Sequence, residues 1–306
     1  MVANVGRLGF VPLMSRRQSG VAIVAVLWVV AALTVAVAGI AAVSKSYIKD
    51  QQLYANQVRS VAWGDAAIRL ALRSVLETPQ PLERMRKLAL TVDERTVEVL
   101  LFPVSGFVNV NSAPEPLLVD LLVVGGGVLP ELATVLAERI IDWRDPDKQA
   151  LPFGVEDPVY EAAGVPFRTR GGPFEAPEDL LQVLGFDFEI FDRIKGLVTI
   201  YGESPGLVAL AAPEGVLRVL ARGNVELAQA IGAARDRGEV IIDTTGLVQA
   251  HLSGGASSVV LAQVKMLIDG REFTRLKWVD LSPGTDGRPW RELRVEPAYG
   301  LVPGVY

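Results

Sequence analysis

The run from Val21 to Val43 constrains this chain more than any other feature. It holds no charged residue, follows Arg16-Arg17-Gln18-Ser19-Gly20, and meets its first charge only at Lys45. At about 1.5 Å per residue it makes a helix of about 35 Å, enough to cross a hydrocarbon core of about 30 Å. Val21, Leu27, Trp28, Leu33 and Ile40 are its bulky membrane-anchor positions. Arg7, Arg16 and Arg17 precede the run, and Lys45, Lys49 and Asp50 follow it. This weak positive bias places the N-terminus in the cytoplasm and the rest of the chain outside, in one pass.

An ordinary secretory signal has an apolar region of roughly 7–15 residues and then a small-x-small cleavage site. Here the small residue, Gly20, comes before the apolar run. That is the order of a type IV prepilin-like leader over residues 1–20, cut by a membrane peptidase between Gly20 and Val21. The apolar helix, residues 21–43, then stays with the mature chain. A plain N-terminal signal anchor is the alternative. The start is Met1 or Met14, since Met14 begins a compact leader by itself.

Without leader and span about 260 residues remain, enough for one or two domains. A net charge of −5 and the lack of any long Lys/Arg run give no field for a polyanion, so nucleic acid is not an expected partner. With no cysteine there is no disulfide framework, thiol nucleophile or zinc-thiolate site. The single histidine, His251 beside Gly254-Gly255, reads as a surface or packing residue rather than a catalyst.

Past the span, Tyr47, Tyr54, Val58, Val61, Ile68, Leu72 and Val75 recur at helical spacing, so residues 44–78 read as an amphipathic continuation of the same helix. Asp65 falls on this stripe and weakens it. Thr78-Pro79 ends it, because proline disfavours helix in the residue before it. Residues 91–110 turn β-branched and partly alternating, which reads as strands. Ser257–Ile268 and Glu272–Asp280 flank Asp269-Gly270, a strong two-residue hairpin signal, and Trp290–Val295 adds a last strand. Between them lie short helices. Ala113-Pro114-Glu115, Ala176-Pro177-Glu178 and Ala212-Pro213-Glu214 each open an apolar helical stretch, where proline and glutamate suit a first turn. Helix-hairpin-helix pairs are expected around Gly125-Gly126-Gly127, Gly185-Phe186-Asp187 and Arg222-Gly223-Asn224. The fold class is therefore α+β. One strand-containing domain, residues 79–110 and 245–306, is interrupted by a first helical insert, 111–200, and a second, 201–244.

The first insert carries an acidic loop. Asp142, Asp145, Asp147, Glu156 and Asp157 fall within sixteen residues, among Pro146, Pro152, Gly154 and Pro158. Calcium takes six to eight oxygens from carboxylates and loop carbonyls, and a loop that gathers carboxylates needs a cation to offset their repulsion. One or two calcium ions is one reading; a solvated acidic loop with helix caps is the other. Paired carboxylates also serve glycosidases, but nothing else here resembles a sugar cleft.

Together these residues resemble the minor pseudopilin K of type II secretion systems, the general secretion pathway protein K family. The resemblance covers nearly the whole mature chain. It includes Arg17-Gln18-Ser19-Gly20 before Val21–Trp28, and Val108-Asn109-Val110-Asn111-Ser112-Ala113, close to the family's Asn-x-Asn-Thr-Ala element. Ile141-Asp142-Trp143-Arg144-Asp145-Pro146-Asp147 and Gly154-Val155-Glu156-Asp157-Pro158-Val159-Tyr160 are the most specific part. Pro173–Leu180 and Val198-Thr199-Ile200-Tyr201 complete the order. Ala25 stands at the fifth mature position, where most pilins and pseudopilins carry glutamate; the K subunit is known for lacking it. The second asparagine element is degenerate, Leu207–Pro213 holding neither asparagine.

The resemblance implies a pilin-like sheet domain with a large SAM-like helical insert and calcium in the insert's loops. It implies a non-enzymatic protein of the inner membrane of a Gram-negative bacterium, with its C-terminal domain periplasmic and its mature N-terminus methylated. Its expected role is to cap the pseudopilus tip and help start assembly for the export of folded proteins. Expected partners are the other minor pseudopilins, the major pseudopilin, the prepilin peptidase, the inner membrane, and secreted substrates and the secretin. Rival readings are a minor subunit of a type IV pilus, a membrane-anchored helix-hairpin-helix receptor for nucleic acid, and an enzyme. No nucleophile–base pair or phosphate loop supports the last.

Overall fold

The computed structural model describes residues 19–77, 82–253, 255–284 and 287–301. The leader up to Gln18, both candidate starts and Thr78-Pro79 lie outside the described residues. The chain divides into two compact units, residues 1–56 and 57–306. In the first, helix α1 (Ser19–Leu76) is apolar and exposed: Leu27, Trp28, Leu33 and Ile40 all face outward. Its residues from Ala22 onward form the one helix among the described residues that is long and apolar enough to cross a membrane.

In the second unit the end of α1 packs on an antiparallel sheet of six strands: β1 (Arg86–Val92), β2 (Arg95–Pro103), β5 (Val259–Ile268), β6 (Arg271–Asp280), β7 (Arg291–Val295) and β8 (Tyr299–Leu301). Two shorter strands of the insert, β3 (Val108–Asn109) and β4 (Val198–Thr199), pair in parallel elsewhere. The order is β1-β2-β5-β6-β7, with β8 also on β6. β2 pairs β5 from Glu98↔Lys265 to Pro103↔Val260, so everything between these strands in sequence is inserted between neighbours in the sheet. Alternation sorts the faces. Val97, Val99 and Leu101 of β2 and Val260, Ala262, Val264, Met266 and Ile268 of β5 meet Ala67, Ile68, Ala71, Leu72 and Val75 of α1. Phe102, Leu261 and Trp278 lie in a second cluster with Phe107 at the start of the insert. There Phe107 stands edge-on to Trp278 at 5.5 Å, and Tyr201 lies 5.5 Å from the same ring.

The helical stripe on α1 is thus buried only in its later part: Ile68, Leu72 and Val75 are covered, while Tyr47, Tyr54 and Val58 are exposed. Asp65, which breaks the stripe, finds Arg275 and Lys277 on β6. Asp269-Gly270 makes the expected two-residue turn, with φ of 48° and 75°. The β1–β2 turn uses Asp93 and Glu94, both at positive φ without a glycine.

The insert holds α2 (Glu115–Asp120), α3 (Pro130–Arg144), α4 (Asp157–Ala162), α5 (Phe188–Ile194), α6 (Glu214–Leu220) and α7 (Val225–Asp236). Of the three Ala-Pro-Glu starts, the first and third open α2 and α6, with the proline at the capping position. The second opens a 3-10 turn over Pro177–Gln182. A π-helical turn, Leu121–Gly125, extends α2. One apolar core joins Val108, Leu136, Tyr160 and Ile194 to Val216, Leu220 and Leu247, so the core does not break at the 200/201 division expected from sequence.

Candidate metal centre

The acidic loop hangs from the C-terminal end of α3. A helix C-terminus carries partial negative charge, so carboxylates gathered there repel it as well as one another, and a cation is favoured. Asp145 caps α3 in an extended conformation, and Asp147 and Glu156 follow in the loop. These three present carboxylate oxygens that all lie within 4.8 Å of one another. Oxygens bound to one calcium ion at 2.3–2.6 Å are at most about 5 Å apart, so the spacing fits. Two atoms of the cluster, Asp145 Oδ1 and Glu156 Oε1, are buried without a hydrogen-bond partner. A buried acceptor left without a donor is costly unless an unseen partner meets it. The set is all oxygen, which suits a hard cation. Burial, then the charges of Asp147 and Glu156, push the Asp145 carboxyl above its usual range. These residues fit an oxygen-liganded cation, with carbonyls and water needed to fill the shell.

The other two expected ligands are held elsewhere. Asp142 is fully buried, and its carboxylate accepts from Leu151 N at 3.2 Å. Burial pushes its pKa up to about 6. Gly154 lies so close that a Cβ there would stand 1.9 Å from Asp142 Oδ2. Asp157 begins α4 and accepts from Thr169 Oγ1 at 2.7 Å and Thr169 N at 3.0 Å, bonds that hold its carboxyl below the usual range. Thr169 Oγ1 also reaches Glu156 Oε2 at 3.0 Å, which leaves the opposite oxygen of Glu156 free to turn to the cluster. Asp142 and Asp157 therefore shape the loop, and Asp145, Asp147 and Glu156 converge. Sequence reasoning passed over Glu138, which is buried and accepts from Phe153 N at 2.5 Å. Its signal was its place one turn before Asp142 on the same face of α3.

The asparagine element staples the insert. Asn109 Nδ2 donates to the carbonyl of Gly202 at 2.6 Å, and its Oδ1 accepts from Asn111 N at 2.9 Å. Asn111 pairs both ways with the backbone of Phe174, at 3.0 and 2.7 Å. Arg144 reaches back to the carbonyls of Val110 and Ala113, at 2.5 and 2.7 Å. His251 is buried, with Nε2 2.7 Å from Asp120 Oδ2, which makes it a packing residue with a polar partner. At the hairpins, Asp187 and Asn224 side chains cap the amides of Ile190 and Leu227, and Glu131, Glu189 and Glu226 sit in the first turns.

An antiparallel sheet packed on the end of a long N-terminal helix and interrupted by an asparagine-stapled helical insert with an oxygen-rich loop defines an α+β fold whose helix carries a run long and apolar enough to cross a membrane. Residues 109–203 match the family model of type II secretion system (T2SS), protein K. A solved chain from the GspK-GspI-GspJ complex of the enterotoxigenic Escherichia coli type 2 secretion system shares the fold, with a TM-score of 0.52 and 17% identity, over 81% of this chain and 98% of that one. Comparison with curated proteins found no match. The family model is that of protein K, and the similar solved chain comes from a complex that contains GspK, in line with the resemblance drawn from the sequence.

Proposed function

We propose that this chain is a minor pseudopilin of a type II secretion system, without enzymatic activity. The observation that carries the reading is the placement of the protein K-like segment, 109–203, between the neighbouring strands β2 and β5 of a sheet packed on the end of α1. In this reading α1 holds the chain in the inner membrane, N-terminus cytoplasmic and C-terminal unit periplasmic, until assembly. Cleavage after Gly20 makes Val21 the mature, methylated N-terminus. Ala25 supports a place at the tip, since no subunit above needs a carboxylate at that position. The similar solved chain was captured with GspI and GspJ, so the corresponding minor pseudopilins are the proposed partners here. Copurification of the tagged full chain with those proteins, and N-terminal sequencing of the membrane form, test the reading. Failure to bind any minor pseudopilin, or an intact leader, would overturn it; binding only to type IV pilus subunits selects the rival assignment.

The Asp145–Asp147–Glu156 cluster is proposed as a structural calcium site, with Asp142 and Asp157 as supports rather than direct ligands. The two orphaned buried oxygens and the all-oxygen set support it. Calcium bound only to the folded state stabilises by about 2.7 kcal/mol at 100-fold excess over Kd. A chelator is expected to lower the melting temperature, and Asp145→Asn with Asp147→Asn to abolish that response. An unchanged melting curve, on protein confirmed metal-free, returns the cluster to a solvated acidic loop.

A further inference from the structure

Along β6 the positions facing α1 read Phe273, Arg275, Lys277 and Val279, so two cations interrupt an otherwise apolar face. Both are buried, at 6% and 3% exposed. Opposite them stands Asp65 of α1. Its Oδ1 accepts from Arg275 Nε at 2.8 Å, and its Oδ2 lies 3.1 Å from Lys277 Nζ. Lys277 Nζ also donates to Glu292 on β7 at 2.9 Å, and Arg275 Nη1 to the carbonyl of Glu296 at 2.5 Å. The helix approaches β6 tightly here: a Cβ on Gly64 would stand 2.8 Å from Arg275 Cβ. Burial raises the Asp65 pKa, but its hydrogen bonds to Arg275 and Lys277 outweigh this and hold the carboxyl below its usual range.

Away from Gly64 the apolar contact repeats in part at one-turn spacing. Its helix side is Ala67, Ile68, Ala71, Leu72 and Val75. A slide of one turn, four residues, lays Ala67 on the place of Ala71 and Ile68 on that of Leu72, but it brings Trp63 onto the place of Ala67, and the reverse slide drives Ile68 into the space of Gly64 against Arg275. The charges do not tolerate that slide. In one direction Val61 would face Arg275 and Lys277, leaving Arg275 without a carboxylate and Lys277 with Glu292 alone; in the other Arg69 would face them, adding a third like charge. Removing the partner of a buried ion is among the most costly changes in a fold, and a single buried polar group is known to set register between packed elements.

We propose that Asp65, Arg275, Lys277 and Glu292 form an ionic register lock that holds α1 at one axial position on the sheet. The lock is a property of residues 57–306 and does not depend on the pseudopilin reading. Where that reading holds, a pull along α1 moves the sheet with the helix instead of sliding it across an apolar surface.

The chain has no cysteine, so spin labels can be placed cleanly on the full chain in detergent, at Arg73→Cys on α1 and Glu98→Cys on β2, both exposed. Pulsed electron resonance should give one narrow distance for the parent pair. Asp65→Asn should broaden it or add a second population. The exchange V61D/D65V keeps composition and moves the carboxylate by four residues, a rise of about 6 Å along the helix axis. It should displace the distance by up to that amount. An unchanged narrow distance in both variants refutes the lock. If the exchange variant does not fold, Asp65→Asn decides alone. Loss of the fold in Asp65→Asn too assigns the cluster to overall stability and also refutes a lock.

Discussion

Gly154→Ala tests the acidic loop without touching a charge. The added methyl would stand 1.9 Å from Asp142 Oδ2 and 2.6 Å from its Cγ. Neither side has easy relief. Asp142 is fully buried and accepts from Leu151 N, and Gly154 is tied back by its own N–H to the carbonyl of Leu151 at 3.0 Å. Overpacking of this kind costs about 1–3 kcal/mol. If the Asp142 side chain turns away instead, Leu151 N loses its acceptor, for about 1–3 kcal/mol. A loss of roughly 1–3 kcal/mol follows by either route, about 2–12 °C in melting temperature at 2–4 °C per kcal/mol for a unit of this size. Glu156 lies two residues further on, so the shift also pulls one carboxylate out of the metal cluster, and the response to chelator should shrink with it. Gly172→Ala is the control, because a Cβ there meets nothing within 4 Å. The assay is thermal unfolding of each variant with calcium and with chelator. If Gly154→Ala melts like Gly172→Ala and keeps the full chelator response, the close approach is not a constraint and the argument fails.

Three further outcomes are expected. Tyr160 is fully buried and its hydroxyl accepts from Leu184 N at 3.0 Å; Tyr160→Phe strands that amide and should cost about 1–3 kcal/mol by denaturant unfolding. Asp65, with its depressed pKa, contributes stability that is present above the unfolded carboxyl value of about 3.9 and lost as pH falls through the lower folded value. The melting-temperature gap between the parent chain and Asp65→Asn should therefore stay constant from neutral pH down to about 4 and narrow below it; a gap independent of pH contradicts the pairing. Glu94 holds φ of 61° in the β1–β2 turn, so Glu94→Gly should be stabilising by about 0.5–1 kcal/mol, and a destabilised variant would show that the side chain matters more than the backbone there.

Features written in local pattern were readable from the chain. The apolar run, the Asp269-Gly270 hairpin and the strand signals at 91–102 and 257–295 fall on one helix and one antiparallel sheet, while the signal at 106–110 falls on β3, paired in parallel with β4. Features that depend on distant partners were not. Asp65 looked like a flaw in a helical stripe because Arg275 and Lys277 lie some two hundred residues away. Periodicity marked Tyr47, Tyr54 and Val58 as one face but is silent on whether the same chain covers it, and all three are exposed. The turn at Asp93-Glu94 lacks the glycine that usually signals positive φ, so the β1–β2 hairpin went unseen. In the acidic loop, composition showed the carboxylates. Which three converge was settled by Leu151 and Thr169, whose backbone and hydroxyl donors claim Asp142 and Asp157.

The pairing of Pro103 with Val260 carries a consequence for the order in which the chain folds. Strands β1 and β2 are made early and can form a hairpin at once, but the strand that completes their apolar face follows residues 104–258. Closing so long a loop costs only about 2–3 kcal/mol more than closing one of ten residues, since the entropy grows with the logarithm of length. The greater burden is kinetic, because contacts distant in sequence form slowly. An insert that collapses first around its own core shortens the effective loop, bringing the two ends to neighbouring places before β5 arrives. The asparagine staples, which gather residues 109–111, 174 and 200–202, then act as early fasteners. Until β5 docks, Val97, Val99 and Leu101 stay without their β5 neighbours, an exposure of apolar strand surface that favours aggregation.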